Sequence, residues 1–372
     1  MRFLIILYTL TCVFAPILRI YSFIGGSLTV LDTFILLFYI LSIPSLFKIR
    51  NIYWPYVTLF AFVFIHSCMI FLSNSDGGIF MRAMHLANYI FFIAFFNSTF
   101  FNIEMAQKAL RNGAIIATIF LIAQHLLHFL FGIQLVGIYA PLALREADME
   151  NMIAGTDINR YASFFLEPAG YGVYIVSALV QELFYQNKTK LWVVSLICLG
   201  GILSTSNTAI ACIALSLGIY FYKNKMFSAK TIFLLFSFVG IFFIAQPFLD
   251  AISNRIESGK SYDGRFDGYD AVLYILDDPT WGMGFVSPEN MGVYLAGFAR
   301  LLMYFGYIGI IVYSFIYLKV FMSSNQKITT FVFLFLNLGS NTLLGGSFLP
   351  YSCFIVPGIK KNSNKSVPVK IK

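Results

Sequence analysis

Charged side chains are scarce in this sequence. Only 11% of its 372 residues are Asp, Glu, Lys or Arg, whereas soluble globular chains carry about 25%. Hydrophobic residues make up 59%, Phe alone contributes 42 residues, and the mean hydropathy is +0.80. Such a composition cannot cover a water-facing surface, so it excludes a soluble fold and indicates an integral membrane protein.

Cysteine and histidine are also few, and their spacing gives little support to disulfide or metal chemistry. The five cysteines lie inside apolar stretches without close pairs, which favours small core side chains over a structural disulfide. His125 and His128 share one face of a predicted helix, and His66 and His85 lie within other predicted spans. No Cys or acid with matching spacing lies near them, so polar helix-packing contacts are the simpler interpretation. No metal or other cofactor is predicted.

Twelve apolar segments approach the length of a membrane-spanning helix, about 17–25 residues. The sequence therefore predicts one all-α polytopic domain over 1–372 with about twelve transmembrane helices. A retained first helix is expected rather than a cleaved signal peptide, because no small-x-small cleavage site follows it. The last two segments are either two spans or one span and a re-entrant piece. The segments are Phe3–Leu18, Ser27–Phe47, Tyr53–Leu72, Ala83–Phe101, Asn112–Phe131, Ala162–Tyr185, Leu191–Leu203, Ser206–Tyr222, Thr231–Phe248, Gly292–Leu318, Ile328–Asn341 and Gly346–Gly358.

Basic residues are distributed unevenly when these segments alternate sides from a cytoplasmic N-terminus. Seventeen of the 25 Lys and Arg then lie inside, including the basic tail 359–372, so the C-terminus is also predicted to be cytoplasmic. This bias accounts for the net charge of +8 without a nucleic-acid partner. The long loops 132–161 and 249–291 lie outside and carry most of the acidic residues, so function is predicted on the outer face.

The outer basic residues differ in kind from the inner ones, because seven of the eight are Arg whereas the inner ones are mostly Lys. Arg presents a planar fork of donors that suits phosphate or carboxylate, so the pattern indicates an anionic ligand outside, such as a pyrophosphate. For Arg19 and Arg82, near helix ends, snorkelling to headgroups or pairing with a loop carboxylate is the simpler interpretation. For Arg160, Arg265 and Arg300 a functional role is favoured.

The first stretch that carries candidate chemistry runs from Asn159 to Gly172, where the first long loop meets a helix. Arg160 is followed by Glu167 and Pro168 at the predicted helix start. Pro suits a first helical turn, and the helix dipole favours an acid there, which explains the pair structurally. A carboxylate at the membrane edge, two helical turns from an Arg, is also a candidate general base or hydroxyl-binding group.

The second stretch runs from Asp263 to Phe285. Arg265–Leu276 is predicted to form an amphipathic helix along the membrane surface, with Pro279 and two glycines closing the segment. Arg300 follows inside a long apolar span, where an arginine is a candidate site residue by default.

Together these features resemble the bacterial polymerases that join O-antigen or capsule repeat units, which share a superfamily with the O-antigen ligases. The resemblance implies a GT-C-like membrane fold with two long periplasmic loops. The family's Arg-to-Pro stretch after the first loop matches Arg160–Pro168. An Arg, an apolar helix and Pro-x-x-Gly-x-Gly in the second loop match Arg265 and 271–284, and a following Gly-x-x-Gly matches 306–309. In the Ser/Thr-rich turn before the eighth span, Asn207 replaces an Arg that the family often carries.

The resemblance implies a metal-independent glycosyltransferase in the bacterial inner membrane. Its substrates would be glycan units on undecaprenyl pyrophosphate, and the bilayer and a chain-length regulator protein would be partners. A sugar hydroxyl would attack the donor's anomeric carbon, and arginines would stabilise the departing pyrophosphate. The implied residues are Glu167, Arg160 and Arg265 for catalysis, Arg160, Arg255, Arg265 and Arg300 for the pyrophosphate, and Tyr161, Tyr171, Tyr262 and Trp281 for contacts with sugar rings.

Two alternatives stay open. An O-antigen ligase would transfer polymer to a lipid core sugar, but ligases usually carry a His shortly before the Gly-x-x-Gly span, and this chain has none beyond His128. A lipid-linked oligosaccharide flippase or exporter is expected to have a charge-lined cavity and no long outer loops. Many transporters are built from internal repeats, and this sequence shows none. Asp32, within the second predicted span, is expected either to pair with another buried polar group, which the sequence does not identify, or to lie near a helix end.

Overall fold

The computed structural model describes residues 1–24, 28–49, 51–138, 160–224, 270–274, 276, 279–286, 295–344 and 346–356. Within them the chain is mostly helical, and the only sheet there is a two-stranded antiparallel ribbon. The predicted span 231–248, the basic tail and most of both predicted long loops lie outside the described residues.

The described residues contain eleven α-helices, besides a helical turn at 270–274. They are α1 (Arg2–Leu18), α2 (Val30–Ser42), α3 (Trp54–Asn74), α4 (Gly77–Phe100), α5 (Ile103–Phe131), α6 (Pro168–Phe184), α7 (Leu191–Leu203), α8 (Asn207–Lys223), α9 (Gly297–Ser323), α10 (Lys327–Leu336) and α11 (Leu349–Ile355). The ribbon joins β1 (Ser22–Ile24) to β2 (Leu28–Thr29), and 3-10 turns cover Ile43–Lys48 and Gly346–Phe348.

Four of these helices, α3, α4, α5 and α9, are long and apolar enough to cross a membrane. Their apolar stretches have 20, 24, 29 and 27 residues, and about 20 are needed to cross the hydrocarbon core. The helices α1, α2, α7 and α10 are apolar but shorter. The helical architecture with these apolar helices indicates a membrane protein.

The apolar segments predicted from the sequence and the observed helices differ mainly at their ends. α4 begins at Gly77 instead of Ala83, because the Asp76 carboxylate caps its first turn by accepting from two backbone amides. α6 begins at Pro168 instead of Ala162, with the proline in the first helical turn. The preceding residues turn irregularly, and Ser163 has a φ of +56°.

The last two helices are short. α10 has 10 residues and α11 has 7, which correspond to about 15 Å and 10 Å of helix. Neither helix alone reaches across a hydrocarbon core of about 30 Å.

α6 lies at the centre of the second half of the bundle and packs against α5, α7, α8, α10 and α11. Its approach to α8 depends on Gly172, where an added Cβ would lie 2.5 Å from the Cβ of Ala209. The close approach of α6 and α8 therefore requires a glycine. On another side of α6, the Tyr351 hydroxyl of α11 donates to the Val173 carbonyl at 2.7 Å.

Asn97 of α4 joins the first helix to the last. The Tyr8 hydroxyl of α1 donates to Asn97 Oδ1 at 3.2 Å, and Asn97 Nδ2 donates to the carbonyls of Cys353 and Val356 at 3.0 and 2.9 Å. All four residues are buried. The amide satisfies carbonyls at the end of α11 that the helix itself leaves without partners.

A buried polar network lies at the predicted inner end. Gln181 of α6 accepts a hydrogen bond from Gln107 at 3.0 Å and donates to Gln326 at 2.7 Å. The next residue, Glu182, is 1% exposed and lies 3.5 Å from Arg111 NH1. Hydrophobicity alone does not predict these contacts, because they join three helices that are distant in sequence.

Candidate functional site

The ends of several helices meet at one end of the bundle, for which the sequence predicts the outer side. His125, near the end of α5, donates through Nε2 to the Leu203 carbonyl at the end of α7, at 3.0 Å. Thr208, at the start of α8, donates to Gly339 after α10 at 3.2 Å, and the first amide of α9 donates to the neighbouring Ser340 at 3.0 Å. The ends of α5, α7 and α10 therefore lie beside the starts of α8 and α9.

Three arginines, from the end of α1 and the starts of α4 and α9, act electrostatically on one tyrosine of α9, Tyr304. Arg19 caps α1, Arg82 lies in the second turn of α4, and Arg300 lies in the first turn of α9. Arg300 lies one helical turn before Tyr304 on α9 and has the largest electrostatic effect of the three on that side chain, followed by Arg82 and Arg19. We refer to these three residues as the arginine cluster.

Backbone carbonyls orient two of the guanidinium groups. Arg82 Nε donates to the Phe285 carbonyl at 2.8 Å, and Arg300 Nε donates to the Leu295 carbonyl at 3.1 Å. The Phe285 ring stacks on Tyr304, with centroids 4.5 Å apart. A guanidinium has five N–H donors, so each group keeps further donors for a ligand.

No carboxylate among the described residues forms an ion pair with the arginine cluster. Arg19 and Arg82 are exposed, and Arg300 is half-buried. Three like charges beside one aromatic pair repel each other, and a bound anion would offset that repulsion. The cluster can therefore hold a phosphate or pyrophosphate.

Gly306 opens α9, and the segment with the glycine motif of the second long loop packs against this opening. Gly306 interrupts the helix with φ +63° and ψ −162°. The freed amides of Tyr307 and Ile308 donate to the carbonyls of Pro279 and Thr280 at 2.8 and 3.2 Å. In return, the carbonyls of 303 and 304 accept from the amides of 283 and 284 at 2.8 and 3.0 Å. Segment 279–286 is thereby anchored to α9, and this places Phe285 under Arg82.

Trp281 lies at the edge of this segment with 41% of its surface exposed. His66 of α3 donates through Nε2 to the Trp281 carbonyl at 2.7 Å, and the two rings stack at 6.4 Å. The indole is therefore only partly covered at this edge. The hydrogen bond of His66 therefore links α3 to the segment 279–286 and not to another helix.

Arg160 lies at a different helix junction of the outer end. Its Nε donates to Thr205 Oγ1 at 3.2 Å, in the turn between α7 and α8, where Thr205 has a φ of +52°. The neighbouring Tyr161 is 2% exposed and packs edge-on against His125 at 5.0 Å. A cavity of about 20 Å³ beside them has room for about one water molecule.

Glu167 is the N-cap residue of α6, but its side chain makes no capping hydrogen bond. It is half-buried, and the described residues provide no hydrogen-bond or ion-pair partner for its carboxylate. The carboxylate therefore stays available to a ligand. Tyr171, by contrast, is fully buried and hydrogen-bonds Thr118 at 2.8 Å, so a contact between this ring and a sugar would require α5 and α6 to separate.

The sequence-predicted site residues thus fall into two groups on one face of the bundle. Arg160, Tyr161 and Glu167 lie at the start of α6, whereas Arg300 and Trp281 lie around the opened α9. The structure adds Arg19 and Arg82 to the second group, for which the sequence favoured snorkelling or pairing. The predicted residues Arg255, Arg265 and Tyr262 lie outside the described residues.

Asp32 has a partner that the sequence did not identify. Its Oδ1 atom lies 3.2 Å from Nδ1 of His85 on α4. The i, i+7 spacing of Arg82 and Tyr89 around this histidine was the only available sequence signal, since it puts all three on one helix face.

No family model, no curated protein and no solved structure matches this chain.

Proposed function

We propose that this protein is an oligosaccharide repeat-unit polymerase of the bacterial inner membrane. It has about twelve spans with cytoplasmic termini, and it joins undecaprenyl-pyrophosphate-linked glycan units on the outer face during O-antigen, capsule or exopolysaccharide synthesis. A chain-length regulator protein is its expected partner. No metal takes part, because arginines stabilise the leaving group.

The observation that carries this proposal is the position of Arg82 and Arg300 beside the stacked rings of Phe285 and Tyr304. Arg82 Nε donates to the Phe285 carbonyl at 2.8 Å, and Arg300 lies one helical turn before Tyr304 on α9. Arg19 adds a third positive charge that acts on Tyr304. When a glycosidic bond to pyrophosphate breaks, negative charge builds on the departing phosphate. Preorganised guanidinium groups aimed at that charge lower the barrier, and removal of one such donor typically costs about 10²–10³-fold in rate. A cluster at the ends of membrane helices suits a phosphate whose lipid tail lies in the bilayer.

Arg160 and Glu167 serve the same reaction in this proposal. Arg160 is held by Thr205 at 3.2 Å, and Glu167, seven residues further on, keeps its carboxylate accessible at the start of α6. Arg160 binds the second pyrophosphate, since both the donor and the acceptor carry one, and Glu167 accepts hydrogen bonds from hydroxyl groups of the glycan. The partly exposed Trp281 contacts a sugar ring.

The test uses purified protein in liposomes with lipid-pyrophosphate-linked repeat units. We expect a ladder of longer chains, and we expect Arg300→Ala and Arg82→Ala to abolish it while their membrane insertion and elution profile stay unchanged. Gln134→Ala, on an exposed residue after α5, is the control and should leave the ladder intact.

Other products would overturn the proposal. Transfer of glycan only to a lipid core acceptor would identify a ligase. Movement of the lipid-linked glycan across the bilayer without new glycosidic bonds would identify a flippase. A full ladder from both arginine variants would show that the arginine cluster has no part in the reaction.

A further inference from the structure

A groove with a mostly apolar lining and a few polar side chains opens between α2 and α4 beside the arginine cluster. Its volume is about 230 Å³. Its lining residues follow one stripe of each helix, at i, i+4 and i+7 on α2 and at i, i+3, i+4 and i+7 on α4, so it extends for about 10 Å along both. They are Leu28, Asp32, Leu36, Tyr39, Met81, Met84, His85 and Asn88.

Two polar contacts bridge this groove. His85 Nδ1 lies 3.2 Å from Asp32 Oδ1, and the Tyr39 hydroxyl donates to Asn88 Oδ1 at 2.8 Å. The Asp32 side chain is 6% exposed, whereas that of His85 is 27% exposed. The carboxylate is therefore enclosed, and the imidazole faces the opening.

The two oxygens of Asp32 have separate tasks. Oδ2 completes the capping box of α2, because it accepts from the Thr29 hydroxyl at 2.6 Å and from the Thr29 amide at 3.1 Å. Oδ1 is not needed for that cap, and it accepts from the Tyr89 hydroxyl at 3.2 Å and from His85. The capping role thus leaves the contact with His85 unexplained.

This contact sets the tautomer of the imidazole. A carboxylate acceptor keeps the proton on His85 Nδ1, so Nε2 carries the lone pair. Among the described residues His85 Nε2 has no hydrogen-bond partner. A histidine whose one nitrogen is held by a buried carboxylate while the other is open to a cavity has the arrangement of a general base.

The groove adjoins the arginine cluster. Arg82 lies three residues before His85 on α4, which brings their Cβ atoms to about 5–6 Å of each other. Arg19 acts electrostatically on both Tyr304 and Tyr89, and Tyr89 is the donor to Asp32. A phosphate on the cluster and a hydroxyl at His85 would therefore be neighbours.

We propose that His85, held by Asp32, is the catalytic base for the acceptor sugar that binds in this groove. This inference rests on the proposed polymerase function. The acceptor hydroxyl gives its proton to His85 Nε2, and its oxygen forms the new bond to the anomeric carbon of the donor. The bond from that carbon to the pyrophosphate breaks, and its electron pair stays on the pyrophosphate oxygen facing the arginine cluster. Asp32 stabilises the imidazolium, which then returns its proton to water.

This assignment differs from the role that the family resemblance implies for Glu167. Glu167 lies at the start of α6, and no contact joins it to Arg19, Arg82 or Arg300 among the described residues. His85 has both the adjacent arginine and the orienting carboxylate. In this scheme Glu167 binds the glycan and does not move the proton.

Kinetics of polymer formation in liposomes test the assignment. We expect His85→Ala to lower kcat by about 10²–10⁴-fold with little change in KM, as for loss of a general base. Added imidazole should restore part of the rate of His85→Ala, because the groove is open to small molecules. Asp32→Asn should lower kcat and should not respond to imidazole. Leu37→Ala, on an exposed part of α2 outside the groove, is the matched control.

A chemical probe gives a readout that does not depend on turnover. Diethyl pyrocarbonate should modify His85 and spare His66, which is 2% exposed, and a lipid-linked acceptor unit should protect His85. Suppose that the wild type is active but His85→Ala keeps the wild-type rate, or that the acceptor unit does not protect His85 from diethyl pyrocarbonate. Either result would overturn this inference but leave the polymerase proposal standing. A wild type without polymerase activity would overturn the polymerase proposal instead.

Discussion

Replacing Gly306 by alanine should destabilise the protein more than any other single methyl addition to α9. The residue has φ +63° and ψ −162°, a region that is essentially restricted to glycine. An added Cβ would lie 2.3 Å from the Thr280 carbonyl oxygen and 2.6 Å from that of Pro279. Backbone atoms cannot rotate away as a flexible side chain can, so the loop segment must move.

The expected loss of folding free energy follows from two effects, the strained backbone conformation and the close contact with the loop carbonyls. Holding a non-glycine residue in this backbone region costs about 1–3 kcal/mol, and overpacking a close contact costs about 1–3 kcal/mol more. The expected loss of about 2–6 kcal/mol is a large share of a typical folding free energy of about 5–15 kcal/mol. Relief of the clash would also displace Phe285, whose carbonyl holds Arg82.

Thermal unfolding in one detergent, followed by size-exclusion chromatography of heated samples, measures this loss. Gly218→Ala is the matched control, because an added Cβ there meets nothing within 4 Å. It lies within α8, where alanine in place of glycine should stabilise by about 0.5–1 kcal/mol. If Gly306→Ala melted at the same temperature as Gly218→Ala, the opened form of α9 would be wrong.

Three further predictions concern the arginine cluster and the buried polar contacts. Arg300→Lys should keep the positive charge but lower the initial rate of polymer formation by about 10²-fold, because Lys lacks the planar fork; an unchanged rate would contradict this. Glu182→Leu should lower the free energy of unfolding by about 3 kcal/mol, since it leaves Arg111 without its partner; adding Arg111→Met should recover part of the loss. Asn97→Leu should cost about 1–3 kcal/mol in unfolding measurements, because two buried carbonyls lose their donor.

The sequence predicts the helical elements well, because in lipid a chain must satisfy its backbone hydrogen bonds internally and an apolar run of sufficient length therefore becomes a helix. α7 has the same bounds as the predicted segment Leu191–Leu203. The ends are less predictable, since local caps decide them, as Asp76 does for α4. The lengths of α10 and α11 also depend on the residues around them.

Part of the candidate site could also be predicted from the sequence. Arg300 is conspicuous because a guanidinium in an apolar span is costly. The glycine motif at 282–284 can also be recognised in the sequence. Its structural role cannot, because the hydrogen bonds that it makes are with α9, some 20 residues further along the chain. The partner of Asp32 lies on another helix, and nothing in the local pattern identifies it.

By itself, the sequence determined that this is an apolar, helical chain with membrane-spanning segments, because composition and hydropathy act locally along each helix. Only the tertiary structure decided that Arg82 and Arg300 lie beside the same aromatic pair, and that His85 faces Asp32. The physical reason is that membrane helices associate through shape, small residues and polar contacts rather than through hydrophobicity. Hydropathy therefore specifies which segments are helices but not which helices are neighbours.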